Sequence, residues 1–198
     1  MGKIIYIMGK SSSGKDTIYH RLLEENDWQL KTIVPYTTRP IRIGETEGVS
    51  YHFTDEQGFE ALRQQGKVIE DRAYNTVHGI WKYFTVDENI DLEHNNYAII
   101  GTIESYRKTR DYFGKEFIVP IYVELDDGIR LQRALDREKS QDAPKYNEMC
   151  RRFLADSEDF SEKKILQAGI TKRFINENLE QCLQEIKEYL TCNFFGKK

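Results

Sequence analysis

The chain has 198 residues, 39% hydrophobic and 31% charged, with a formal net charge of -4. That suits one globular domain with a core that needs no disulfides, and so mild an acidic balance excludes bulk electrostatic binding of nucleic acid. The three cysteines, with no Cys-x-x-Cys pair, exclude a disulfide framework and a zinc site and point to a reducing cytoplasm.

In chain order, "KIIYIM" (Lys3 to Met8) predicts a buried strand of a parallel sheet. It is too short to span a bilayer, and no cleavage site of small residues follows it, so neither a membrane anchor nor a signal peptide is expected. A helix is predicted from Lys15 to Glu25, with Ile18, Leu22 and Leu23 inward. "LKTIV" (Leu30 to Val34) predicts a strand, and "PYTTRPIRIGETEGVSYHF" an ordered loop or hairpin. Asp55 to Gln65 reads as a helix with Phe59 and Leu62 inward, followed by strands "KVIEDRAYN" and "WKYFTV". "YAIIG" (Tyr97 to Gly101) is a buried strand, with a helix to Phe113 behind it. "FIVPIYVEL" is another, with a helix from Asp127 to Arg137. The polar "EKSQDAPKY" interrupts the helical pattern as a flap. A long helix from Asn147, strand "KRFIN" and a helix from Leu179 to Leu190 complete the chain. Alternating strands and helices predict an α/β fold on a parallel sheet.

"GKSSSGKDT" lies between the first strand and the first helix. Gly9 and Gly14 permit tight turns and close approach. The amides of Lys10, Ser11, Ser12 and Ser13, then the helix start at Lys15, Asp16 and Thr17, make an anion site for ATP phosphates. Lys15 supplies the point charge. Asp16 stands where such loops carry a hydroxyl. As an acid in the first helical turn it suits the helix dipole, and as a hard oxygen donor it suits Mg²⁺; both readings stay open.

"GKSSSGKDT" and "YTTRPIRIGETEGVSYHF" together resemble the guanylate kinase family, and the likeness extends to the "FIN" before the last helix. It implies a P-loop NTPase-type parallel sheet flanked by helices, with a core of 1–34, 97–136 and 160–190. It also implies a small acceptor-binding lobe of about 35–90 and a helical lid of about 137–159. By the same resemblance Arg39, Arg42 and Tyr51 grip the phosphate of GMP, as two guanidinium groups and a phenol on one loop suit a dianion. Glu70 matches the guanine reader, a carboxylate accepting N1–H and N2–H. His78, Gly79, Thr102 and Glu104 line the acceptor pocket. Arg137 and Arg152, assisted by Arg133, match lid arginines that close on the moving phosphoryl group.

The family pattern is broken at Pro35, where a serine usually touches the base, at His78 and Ile80, and at Gly101 and Thr102, where acids are usual. The implied activity is transfer of the γ phosphoryl group of ATP, with Mg²⁺, to a nucleoside monophosphate, GMP foremost, without nucleic acid or membrane. Lys15, Arg42, Arg137 and Arg152 carry the charge. The ionised acceptor phosphate needs no general base, which agrees with the lack of a Ser-His-Asp or Cys-His set. Two alternatives are a ribose 1,5-bisphosphate phosphokinase, which shares Gly-Lys-Asp, and a non-catalytic guanylate-kinase-like binding module, which lacks a competent loop. Oligomeric state is left open.

Overall fold

The structure, a computed structural model, describes residues 1–42, 44–76, 79–88 and 90–196. Strand β1 (Ile4–Met8) is buried along its whole length. It lies at the centre of a five-stranded parallel sheet with β2 (Leu30–Thr32), β7 (Asn96–Gly101), β8 (Ile118–Glu124) and β9 (Arg173–Ile175), in the order β2-β7-β1-β8-β9. Side chains alternate across a strand, so Ile4, Tyr6 and Met8 enter one core with Ile99, Tyr122 and Phe160. Ile5 and Ile7 enter the other with Ile18, Leu22, Phe174 and Ile186. A strand covered on both faces has to be apolar throughout, which is why "IIYIM" shows no polar alternation. Pro120 is tolerated in β8 because β9 pairs only from Tyr122 onward.

Helix α1 (Lys15–Glu25) has the predicted bounds, with Leu23 half-buried. The region read as a loop or hairpin contains two short strands, β3 (Tyr36–Thr37) and β4 (His52–Phe53), which pair in parallel. With the antiparallel hairpin of β5 (Val68–Thr76) and β6 (Gly79–Val86), they form a second sheet in the order β4-β3-β6-β5. Helix α2 (Glu56–Gln64) starts at Asp55, whose carboxylate accepts the Gly58 N–H at 2.8 Å. It sets Phe59 edge-on against Phe84 at 4.8 Å.

Helix α3 (Ile103–Phe113) follows β7, and α4 (Asp127–Lys139) follows β8, running two residues past Arg137. The long helix expected from Asn147 is divided into α5 (Tyr146–Asp159) and α6 (Glu162–Gln167). The cause is Phe160, which leaves helical geometry to stack on Tyr122 at 5.9 Å inside the core. Helix α7 (Leu179–Leu190) closes the second core face from an Asn178 cap.

Candidate active site

The turn after β1 lies at the carboxyl end of the central strand, where open α/β sheets bind ligands. Gly9 could carry no side chain: a Cβ would lie 2.3 Å from the Val123 carbonyl oxygen. Gly14 has φ +86°, and a Cβ there would meet Asn176 Nδ2 at 2.2 Å. Asn176 in turn donates to the Ser13 carbonyl at 2.7 Å, pinning the turn from β9. The first N–H groups of α1 have no acceptor within the helix. The Ser12 and Ser13 hydroxyls are buried without a hydrogen-bond partner among the described residues. This concavity of amides and orphaned hydroxyls fits a polyphosphate. Lys15 Nζ sits 3.1 Å from Asp16 Oδ2, and Asp16 is 66% exposed at the mouth of the turn.

Two residues that the sequence did not mark, Arg130 and Asp156, tie α4 and α5 to this turn. Arg130, 1% exposed, donates from Nε to the Ser11 carbonyl at 2.9 Å and from Nη2 to Asp156 at 3.1 Å, and pairs with Asp127. Asp156 also accepts the Ser11 N–H at 2.7 Å. Lys10 Nζ meets Asp127 at 3.1 Å. Burial pushes the Asp127 carboxyl up, but Lys10 and Arg130 outweigh it and hold it below the usual range. Arg152 reaches Ser11 Oγ at 3.3 Å. Arg137 and Arg152 line one narrow crevice of about 30 Å³ with Ser11 and Ser12. Arg133 donates to the Asn176 carbonyl at 3.4 Å, beside Gly14.

In the second sheet Arg39 is almost wholly buried. Glu45 takes its guanidinium in a fork, at 2.5 and 2.7 Å, and Arg39 Nε donates to the Tyr83 hydroxyl at 3.1 Å. Burial opposes the charge on Arg39, and the Glu45 pair more than restores it. The same hydrogen bonds hold the Glu45 carboxyl below its ordinary range. Tyr51 lies under the Arg39 guanidinium at 5.0 Å and edge-on to Tyr83 at 5.7 Å. Arg42 lies over Trp81 at 6.0 Å. The Glu148 carboxyl is held low chiefly by Arg151, with lesser help from Arg152 and Arg42. Pro35 accepts the His52 N–H through its carbonyl at 2.9 Å. Gly79 and Ile80 are exposed at the start of β6, and His78 lies outside the described residues.

Glu70 and Arg72 lie two apart on β5, on one face, just after a bulge between Val68 and Glu70 that re-aims the strand. Glu70 has no exposed side-chain surface and pairs with Arg72 Nε at 3.1 Å. Thr85 Oγ1 donates to Glu70 at 2.8 Å. Arg72 Nη1 donates to Thr102 Oγ1 at 3.3 Å. Burial disfavours the Arg72 charge, and Glu70 overcomes that, so its pKa is raised. Thr102 caps α3 through a reciprocal pair with Ser105. Tyr6 donates to Ser105 Oγ at 2.7 Å, and its hydroxyl fills the space over Gly101, where a Cβ would be 2.1 Å away. Glu104 is exposed and pairs with Lys108 at 3.0 Å. Arg72, Tyr74, Thr102 and Glu104 line a cleft of about 560 Å³, in the range of small-molecule sites.

The structure thus brings Arg137 and Arg152 to a crevice with Ser11 and Ser12 of the turn that leads to Lys15, and sets Arg39 over Tyr51 and Arg42 over Trp81 at the second sheet. Tyr83, Arg72, Arg130, Asp156 and Asn176 were missed. Only the spacing of Glu70 and Arg72, on one face of a predicted strand, carried a signal. No group of three or more His, Cys, Asp or Glu that could hold a metal ion occurs among the described residues.

A family model described as guanylate kinase matches residues 1–192. The chain is 35% identical over 96 residues to a guanylate kinase of Aliivibrio fischeri, an alignment that spans 46% of that protein and 46% of this chain. It is 27% identical over 190 residues to a guanylate kinase of Mycoplasma mobile, spanning 92% of that protein and 96% of this chain. The crystal structure of a guanylate kinase from Anaplasma phagocytophilum superposes with a TM-score of 0.67 at 22% identity, covering 99% of this chain and 88% of that one.

Proposed function

The chain belongs to the guanylate kinase family, and from that premise we propose that it transfers the γ phosphoryl group of ATP to GMP, giving ADP and GDP. The observation that carries this reading is the turn after β1, a cradle of backbone amides and unpartnered hydroxyls closed by Lys15. ATP seats its phosphates there. Arg42 and Tyr51 hold the acceptor phosphate, and the buried Arg39, paired with Glu45 and Tyr83, packs over the Tyr51 ring and fixes its place. Phosphoryl transfer asks for positioning and charge neutralisation. Lys15, Arg137 and Arg152 provide the latter as charge spreads over the equatorial oxygens. The attacking acceptor oxygen is already ionised at neutral pH, so the chain needs no base.

Mg²⁺ fits the donor set. Asp16 is a single exposed hard oxygen donor beside the cradle, and Mg²⁺ is commonly held by one or two carboxylates together with substrate phosphates. Asp16 would hold the ion, which supplies charge neutralisation at the phosphates. Three unpaired thiols, Cys150, Cys182 and Cys192, support a reducing cytoplasmic setting. A coupled ADP-release assay across GMP, dGMP, AMP, CMP, UMP and ribose 1,5-bisphosphate tests the acceptor. GMP is expected to lead; preference for ribose 1,5-bisphosphate, or no turnover of any acceptor, overturns the proposal.

A further inference from the structure

Three carboxylates stand around the turn after β1, and they are committed differently. Asp127 accepts from Lys10 and pairs with Arg130. Asp156 accepts the Ser11 N–H and an Arg130 N–H. Both are taken up by donors of the protein itself. Asp16 is 66% exposed, and among the described residues its carboxylate meets only the Lys15 ammonium, at 3.1 Å. Beside it the Ser13 hydroxyl is fully buried and has no partner among the described residues. Such a turn usually carries a neutral hydroxyl after its lysine. A carboxylate there changes the charge that an arriving polyphosphate meets. Like charges a few ångströms apart at a protein surface repel by the worth of about tenfold or more in affinity. For a divalent cation without phosphates, one carboxylate already held by a lysine is a poor site.

We propose that Asp16 makes the cradle selective for metal-loaded nucleotide, refusing ATP that comes without a divalent cation. The inference deepens the proposed function and rests on it, since it takes ATP as the phosphoryl donor. In the empty cradle Lys15 and Asp16 neutralise each other. ATP alone draws the ammonium to its phosphates and leaves the carboxylate facing them unpaired. ATP with Mg²⁺ trades one ion pair for two: ammonium with phosphate oxygens, carboxylate with the cation. Metal and nucleotide are therefore coupled through this one side chain, and the coupling is the same whichever of the two is varied. The unproductive form of the donor is kept out of a site that needs the cation's charge for transfer.

The test is calorimetric titration of the full chain with ATP, once in chelator and once with excess Mg²⁺, for the unmodified protein, Asp16→Asn and Asp16→Ser. The quantity read is the ratio of the two dissociation constants, in which the affinity of Mg²⁺ for ATP itself is common to all three proteins. The unmodified chain is expected to bind ATP about 100-fold tighter with Mg²⁺ than without. Asp16→Asn keeps the shape and removes the charge. It should bind metal-free ATP about tenfold tighter and metal-loaded ATP about tenfold weaker, so that the ratio collapses toward one. Asp16→Ser should gain as much for metal-free ATP and lose less with metal, since a hydroxyl can serve as a ligand. A ratio in Asp16→Asn within about threefold of the unmodified one overturns the inference; a lower melting temperature with that unchanged ratio makes Asp16 a partner of the helix dipole only. In steady-state rates, ATP in excess over Mg²⁺ should inhibit Asp16→Ser and spare the unmodified chain, and equal inhibition of both overturns the inference too. No binding of ATP under either condition sinks the proposed function and this inference together. Metal-linked binding without turnover of GMP sinks the proposed function and leaves the role of Asp16 standing.

Discussion

At the scale of single residues, charges in this molecule are either paired inside the protein or kept for a ligand. Lys15 belongs to the second kind, since among the described residues its ammonium meets only the exposed Asp16 carboxylate. Lys15→Met is expected to lower kcat by about 10²–10³ while leaving the urea midpoint nearly unchanged; steady-state kinetics beside a denaturation curve will show it. Glu45 belongs to the first kind. Arg39 depresses its pKa in the fold, so the pair contributes fully above the unfolded carboxylate value of about 4.3. The contribution is lost as pH falls through the lower folded value. The melting temperature of the unmodified chain should therefore drop more steeply below about pH 4.5 than that of Glu45→Gln. Parallel curves for the two would remove the pair from the acid response. Lys15, Gly9 and Gly14 were legible in the sequence because a backbone cradle is written in contiguous residues. Arg72 and Arg130 were not, because a surface arginine and a buried one look the same until their partners are placed.

Among elements, the link that matters most is α5 to the turn after β1. Asp156 accepts both the Ser11 N–H and an Arg130 N–H, so α5 helps fix the turn after β1. Asp156→Ala leaves the buried Arg130 with Asp127 and the Ser11 carbonyl. It should cost about 1.5–3 kcal/mol of stability, the worth of hydrogen bonds to a charged group, and raise KM for ATP. Urea denaturation and initial rates measure the two effects. An unchanged urea midpoint would separate α5 from the turn after β1. The bounds of α1 and α7 could be read from sequence, since a strong apolar stripe and a clear stop define each. Strands β3 and β4 could not, being two residues each and held by long-range pairing to β6 and to each other. The division of α5 from α6 was hidden for a similar reason: only the core position of Phe160 requires the bend.

For the molecule as a whole, the turn after β1 belongs to one sheet and the loop that carries Arg39 and Tyr51 to the other, and the proposed function seats the donor at the first and the acceptor at the second. A ligand that spans them should therefore stabilise more than either half. Adenosine and guanosine joined by five phosphates, at about 1,000 times its dissociation constant, should add about 4 kcal/mol. For a chain of this size that is a rise in melting temperature of about 8–16 °C. Differential scanning fluorimetry reads it directly. A rise no larger than that with ATP at the same ligand concentration would mean that the two sites do not share a cleft.

The Tyr6 phenol decides what can stand opposite it. It occupies the volume that any side chain at position 101 would need, at 2.1 Å from where that Cβ would stand. Gly101→Asp alone would collide with it, whereas Tyr6→Val followed by Gly101→Asp opens the volume first. An acid at position 101 therefore requires a smaller residue at position 6.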